Sequence, residues 1–289
     1  MTPEIRQRLQ DIGGYAFDID GTLVQSGAAS SGYQALPGAR EILQLLDARQ
    51  IPFLVFSNDS TRTPQQLAQA LAQAGLNVGP ERTLTPASVA AALFRRKKHR
   101  RILLLGAKGV EQPLTDAGFE VTLSPQRAAH TDAVLLNWYP DFTLADLEAA
   151  SCAVWAGAKL YTVSVASYVD GREGRVLGIP GALAAALRNI TSRRATIVGK
   201  PWVDALRVIG ERLGIRLSQV AFVGSDPALE NAMAHKSKAL SITVHTGMYG
   251  ADDFEQLPRQ LRPHLSLPDV DRLLRLISDP EEPPDAPQA

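Results

Sequence analysis

Short apolar runs alternate with longer helical stretches along almost the whole chain, and that alternation restricts it to an α/β fold with a largely parallel sheet. Tyr15-Ala16-Phe17 and residues 52–56 read as strands. Between them Pro37-Gly38-Ala39 opens a helix whose Ile42, Leu45 and Leu46 share one face, and Thr63-Pro64 caps and starts the next. A second α/β set has strand candidates at 102–105, 120–123, 133–136 and 160–163. The first pattern then resumes at 196–198, 220–223 and 240–244. The reading is a discontinuous core of residues 1–84 and 190–278, interrupted by an inserted α/β domain of residues 85–189. Residues 279–289 carry too little apolar surface to fold and are expected to be a disordered tail.

Composition removes several function classes. Thirty Lys and Arg balance thirty Asp and Glu, which argues against bulk attraction to nucleic acid or to an anionic membrane. The one dense basic run, Arg95 to Arg101, reads as a solvated helix end leading into the 102–105 strand. A single cysteine excludes an intrachain disulfide and a cysteine-held zinc, and Cys152, in an alanine-rich helical stretch, is expected to be packed. No apolar run approaches the roughly 18 residues of a membrane span. Asp18 and Asp20 break the first apolar stretch, so no signal core is read and a soluble cytoplasmic protein is expected.

The chemistry concentrates in Phe17-Asp18-Ile19-Asp20-Gly21-Thr22-Leu23. Two aspartates one residue apart at the end of a buried strand are costly unless a cation or a reaction needs them. Gly21 lets the chain turn there, and the carboxyl end of a parallel strand is where open α/β sheets bind ligands.

This stretch resembles the first motif of the haloacid dehalogenase superfamily. The resemblance implies that Asp18 is a nucleophile forming an aspartyl-phosphate, that Asp20 is the general acid and base, and that both belong to a Mg²⁺ site. Ser57-Asn58 matches the phosphate-orienting second motif, and Val198-Gly199-Lys200-Pro201 matches the third, whose lysine neutralises the nucleophile and the phosphoryl group. With Ile179-Pro180-Gly181 and the long insertion, the wording is similar to the class IIA branch of phosphatases. That branch implies a Rossmann-like parallel-sheet core with a large inserted α/β cap domain that selects the substrate. It also implies a small phosphorylated metabolite as substrate and a homodimer formed through the cap.

The fourth motif departs from the pattern. Gly224 and the downstream Ser241 to Gly247 fix the register, so Ser225 stands where the family places an aspartate that ligates magnesium. A phosphate dianion approaching Asp18 is repelled by roughly 4 kcal/mol per charge pair at 4 Å and an effective dielectric of 20. A neutral hydroxyl offsets that less well than a carboxylate-held Mg²⁺. Asp226, one residue displaced and restricted by Pro227, and Glu230, at the second acidic position, are the two candidate replacements. The cap run Tyr161 to Ala166 is also more apolar than the branch's usual loop. Two functions therefore stand open: a Mg²⁺-dependent phosphomonoester hydrolase, or a degenerate relative that binds a phosphorylated ligand or protein partner with little turnover.

Overall fold

The structure, a computed structural model, describes residues 1–26, 32–106, 108–123, 130–139, 141–171, 174–250, 253–254 and 256–279. Residues 280–289 of the expected tail lie outside the described residues. The described strands, in chain order, are β1 (Gly14–Phe17), β2 (Val24–Ser26), β3 (Tyr33–Ala35), β4 (Phe53–Phe56), β5 (Thr83–Leu84), β6 (Arg101–Leu105), β7 (Glu120–Thr122) and β8 (Ala133–Leu136). They continue with β9 (Lys159–Thr162), β10 (Tyr168–Gly171), β11 (Gly174–Leu177), β12 (Thr196–Ile197), β13 (Val220–Gly224), β14 (Leu240–Val244) and β15 (Leu265–Leu267).

The chain forms two compact units. The first comprises Met1–Ser57, Gln65–Thr83 and Leu206–Ala289, the second Asn58–Pro64 and Leu84–Ala205.

A six-stranded sheet of order β15-β14-β13-β1-β4-β5 organises the first unit. β1 lies parallel between β13 and β4, with Phe17 opposite both Val223 and Val55. Every residue of β1, β13 and β14 is buried, which is why these segments read as continuous apolar runs rather than as alternation. Phe17 stacks on Tyr15 with centroids 5.6 Å apart and meets Phe53 edge-on at 6.5 Å. The helices Ala39–Ala48 and Val270–Ser278 contribute Ile42, Leu46, Leu273 and Leu276 to the same core. Each such side chain contributes about 1.5–3 kcal/mol relative to exposure. The chain leaves β1 toward β4 on one side and returns through β13 on the other. The carboxyl end of β1 is thus a topological switch point, where such sheets open a crevice.

The second unit has its own five-stranded parallel sheet, β12-β9-β8-β6-β7, and an antiparallel β10–β11 hairpin. Leu103, Leu105, Val134 and Leu136 pack there against Ala150, Leu183 and Leu187. A reciprocal Thr143–Asp146 capping box starts the helix Leu144–Trp155.

Two expectations need correction. The run at 196–198 reads with the first pattern, yet Thr196 and Ile197 pair with Tyr161 and Thr162 in the second sheet. A short apolar run carries no record of which strand it will pair with. Cys152 is exposed: its helix buries Ala149, Ala150, Ala153 and Val154, and position 152 falls off that face. Where alanine occupies most positions, the buried face is poorly marked in sequence. The basic run does end a helix, Pro86–Lys97, just before β6, and Arg96 pairs with Asp204. Among the described residues no helix is long and apolar enough to cross a membrane.

Candidate active site

In the first unit the backbone N–H of Asp18 donates to the Val223 carbonyl at 2.8 Å, one rung beyond β1. The chain then turns tightly: the N–H groups of Leu23 and Val24 both donate to the Ile19 carbonyl at 3.0 Å, and Gly21 donates to the Val24 carbonyl at 2.8 Å. Ile19 and Leu23 are fully buried in the core, while Asp18 and Asp20 line a cavity of about 470 Å³. Alternation along an extended backbone accounts for this division. Gly21 has φ +74°, and a Cβ there would lie 2.9 Å from Ser225 Oγ and 3.0 Å from Gly247 Cα. Both the conformation and the crowding require glycine.

The Asp20 carboxylate is gripped by Ser26, whose backbone N–H donates to Oδ1 at 3.2 Å and whose hydroxyl donates to Oδ2 at 2.7 Å. Ser26 ends β2, which pairs antiparallel with β3. Sequence reasoning missed this residue, because a lone serine beyond the motif carries no signal until the hairpin returns it.

Ser225, Asp226 and Thr246 line the same cavity. Ser225 is only 6% exposed, and its hydroxyl donates to the Asp20 carbonyl over a long 3.5 Å. A Cβ on Gly247 would meet the Ser225 Oγ at 2.5 Å, so that hydroxyl is wedged between two glycines. Thr246 ties the turn by donating to the Gly21 carbonyl at 2.7 Å. The backbone at Asp226 is extended, at φ −111° and ψ 110°, as the following proline demands. Its Oδ1 accepts the Ala228 N–H at 2.8 Å, which caps the turn Pro227–Asn231. Glu230 is 2% exposed and folded so closely onto Gly224 that a Cβ on that glycine would collide with its side chain. Asp226 therefore faces the cavity and Glu230 is packed beneath the turn. Among the described residues no three His, Cys, Asp or Glu side chains converge as a metal cage. Ser57, half-buried, follows β4 in this unit.

Asn58 and Lys200 belong to the second unit, where they are joined. The Lys200 N–H donates to Asn58 Oδ1 at 2.9 Å, and Asn58 Nδ2 donates back to the Lys200 carbonyl at 3.4 Å. A Cβ on Gly199 would lie 2.7 Å from the Val163 carbonyl oxygen and 2.8 Å from Asn58 Oδ1, so glycine permits the clasp. Lys200 is buried. Asn58 thus positions the lysine backbone. The next residue, Asp59, accepts the Thr61 N–H and hydroxyl at 2.7 Å and fixes the following turn. In the run after β9, Thr162 donates to the Ser164 carbonyl at 2.7 Å, and Val165 is exposed.

Against known proteins, the sequence profile of the haloacid dehalogenase-like hydrolases matches residues 15–120. The acid sugar phosphatase of Staphylococcus epidermidis is 26% identical over 258 residues, covering 89% of this chain and 94% of that protein. Among solved structures, 4-nitrophenylphosphatase from Thermotoga maritima superposes with a TM-score of 0.80 at 24% identity, over 93% of this chain and 98% of its own. Glycerol phosphate phosphatase from Mycobacterium tuberculosis, in complex with magnesium, gives 0.78 at 24% identity, over 92% of this chain and 77% of its own. Both share the fold of this chain.

Proposed function

From the match of residues 15–120 to the haloacid dehalogenase-like hydrolases, we propose that this chain hydrolyses a small cytoplasmic phosphate monoester through an aspartyl-phosphate at Asp18. The observation that carries this reading is the Asp18–Asp20 pair at the carboxyl end of β1, facing one cavity with the Asp20 carboxylate already oriented by Ser26. An Asp18 oxygen attacks phosphorus and the bond to the ester oxygen breaks. Asp20 gives its proton to that leaving oxygen, then takes one from the water that attacks the aspartyl-phosphate, releasing inorganic phosphate. The Ser57 hydroxyl and the Lys200 ammonium are assigned to the phosphoryl oxygens, and Asn58 holds the backbone that carries Lys200. On this reading residues 1–84 and 190–278 supply the catalytic core. Residues 85–189 are the cap that selects the ester and joins two copies of the chain.

The donor set fits a weakly held Mg²⁺. Asp18, Asp20 and Asp226 offer hard oxygens around one cavity, and Mg²⁺ commonly keeps several waters and uses one or two carboxylates together with substrate phosphate. When bound it neutralises charge on the phosphoryl oxygens. Similarity to a fold neighbour solved with magnesium supports the choice of metal.

Ser225 and the lack of a converged acidic cage among the described residues favour a second reading, binding of a phosphorylated ligand or protein partner with little turnover. Phosphate release from a panel of monoesters across a Mg²⁺ titration separates the two. Hydrolysis by the wild type, falling about 10²–10⁴-fold in Asp20→Asn, is the expected result. Saturable ester binding with no release at any Mg²⁺ concentration establishes the second reading instead.

A further inference from the structure

We propose that the first unit carries a second anion site, at the amino edge of its six-stranded sheet, that takes a phosphate group as free phosphate or as a monoester. A cavity of about 530 Å³ lies there, lined by His235, Arg259, Gln260, Arg262, Pro263 and His264. His264 immediately precedes β15, and it is bonded to Ser241, the second residue of β14. Asp18, Ser225 and Thr246 follow the carboxyl ends of their strands, so this cavity is separate from the one they line.

The lining holds two guanidinium groups and two imidazoles and no carboxylate. In a chain of zero formal net charge, that is a local concentration of donors with no acidic partner in the wall. Three of these four side chains are also held in place. Arg262 donates through Nε to the Leu257 carbonyl at 2.8 Å, which fixes the guanidinium plane through the nitrogen nearest the backbone. His235 Nε2 lies 2.7 Å from the Arg262 carbonyl, an acceptor, so that nitrogen carries a proton. The His235 ring stacks on His264 with centroids 4.8 Å apart and planes 29° from parallel. His264 Nδ1 accepts the Ser241 N–H at 3.1 Å and lies 2.7 Å from its hydroxyl, so the neutral ring keeps its proton on Nε2 as a donor. Burial, with Arg8 and His235 nearby, pushes His264 down to about 4, which keeps it in that neutral form near pH 7.

A planar guanidinium matches a phosphate edge with two parallel N–H donors, and charge-assisted bonds of this kind are the strong ones. Side chains already held by backbone and neighbouring groups lose little freedom when a ligand arrives. The volume lies in the range of small-molecule sites and exceeds what a bare phosphate fills, leaving room for the organic part of a monoester.

The test follows the imidazole ¹H–¹⁵N resonances of His235 and His264 in the full chain during titration with inorganic phosphate, against sodium chloride at matched ionic strength. The expected result is a saturable shift with phosphate that chloride does not reproduce. The phosphate affinity should weaken at least tenfold in Arg259→Gln and further in Arg259→Gln/Arg262→Gln. Arg262 also supports the loop through Leu257, so the single Arg259→Gln variant, with its melting temperature checked, carries the test if the double variant misfolds. Equal shifts with chloride, or wild-type affinity in a folded Arg259→Gln, overturn the site. A non-hydrolysable phosphonate run in parallel separates the two sources. Tighter binding than phosphate assigns the site to a monoester and equal or weaker binding to free phosphate, and either result upholds it.

Discussion

Ser225→Asp is the substitution with the most to say about how this site handles charge. The wild-type hydroxyl is buried between Gly21 and Gly247 and reaches the Asp20 carbonyl over 3.5 Å. A carboxylate there joins Asp18, Asp20 and Asp226 around one cavity. Each additional like-charge pair at about 4 Å costs roughly 4 kcal/mol at an effective dielectric of 20, falling toward roughly 1 kcal/mol where water fills the cavity. Without metal the variant should therefore lose about 1–4 kcal/mol, or about 2–4 °C of melting temperature per kcal/mol. With Mg²⁺ the sign reverses. The added carboxylate should tighten the metal at least about tenfold, equivalent to about 1.4 kcal/mol, and stability then rises with the logarithm of Mg²⁺ above the dissociation constant. Thermal denaturation in EDTA and across a Mg²⁺ series reads both effects in one experiment. The expected pattern is a wild type whose melting temperature moves little with Mg²⁺, beside a variant that starts lower and gains steeply. Identical Mg²⁺ dependence in the two proteins refutes the reasoning, because Ser225 is then no deficit and Asp226 already completes the metal's carboxylates.

Further outcomes follow from contacts elsewhere. Asn58→Ala removes the acceptor for the Lys200 N–H and should cost about 1–2 kcal/mol in urea unfolding, with a raised KM for the ester. Asn58→Asp keeps that acceptor and should retain more of both. His264 is held at about 4 in the folded chain against an ordinary value of 6.5, by burial first and then by Arg8 and His235. The unfolded chain therefore takes up the proton first, so this residue's contribution to stability falls as pH drops from about 6.5 to about 4 and is level below. The shift alone corresponds to about 3 kcal/mol, which solvent screening of the half-buried ring reduces to about 1–2 kcal/mol. His264→Asn keeps an acceptor for the Ser241 N–H and should flatten that part of the profile, read from urea midpoints at pH 7 and pH 4.5.

The parts of the fold that were legible in sequence are those buried on both faces. β8 and β14 are found at the residues their apolar runs mark, because a strand between two neighbours needs apolar side chains throughout. The Asp18–Asp20 pair was legible because Gly21 turns the chain just after β1, and the serine at position 225 because Gly224 closes β13 directly before it. Strands of two or three residues, such as β2, β3 and β5, are too short to show a period, so the hairpin that brings Ser26 to Asp20 left no trace. The partner of β12 was hidden for a different reason: pairing is a long-range choice that a two-residue strand cannot specify by itself. The Asn58–Lys200 clasp joins residues 142 positions apart, and the two motifs were legible separately while the bond between them was not. The His235–Arg262–His264 cluster is likewise assembled from a helix, a turn and a strand entry.

The central claim, that Asp18 is the nucleophile of a phosphate-ester hydrolase, is tested most directly by phosphate release from para-nitrophenyl phosphate at saturating Mg²⁺, wild type beside Asp18→Asn. The account predicts steady turnover by the wild type and a loss of about 10³-fold or more in a variant that remains folded. Asp18→Asn releasing phosphate at the wild-type rate contradicts it.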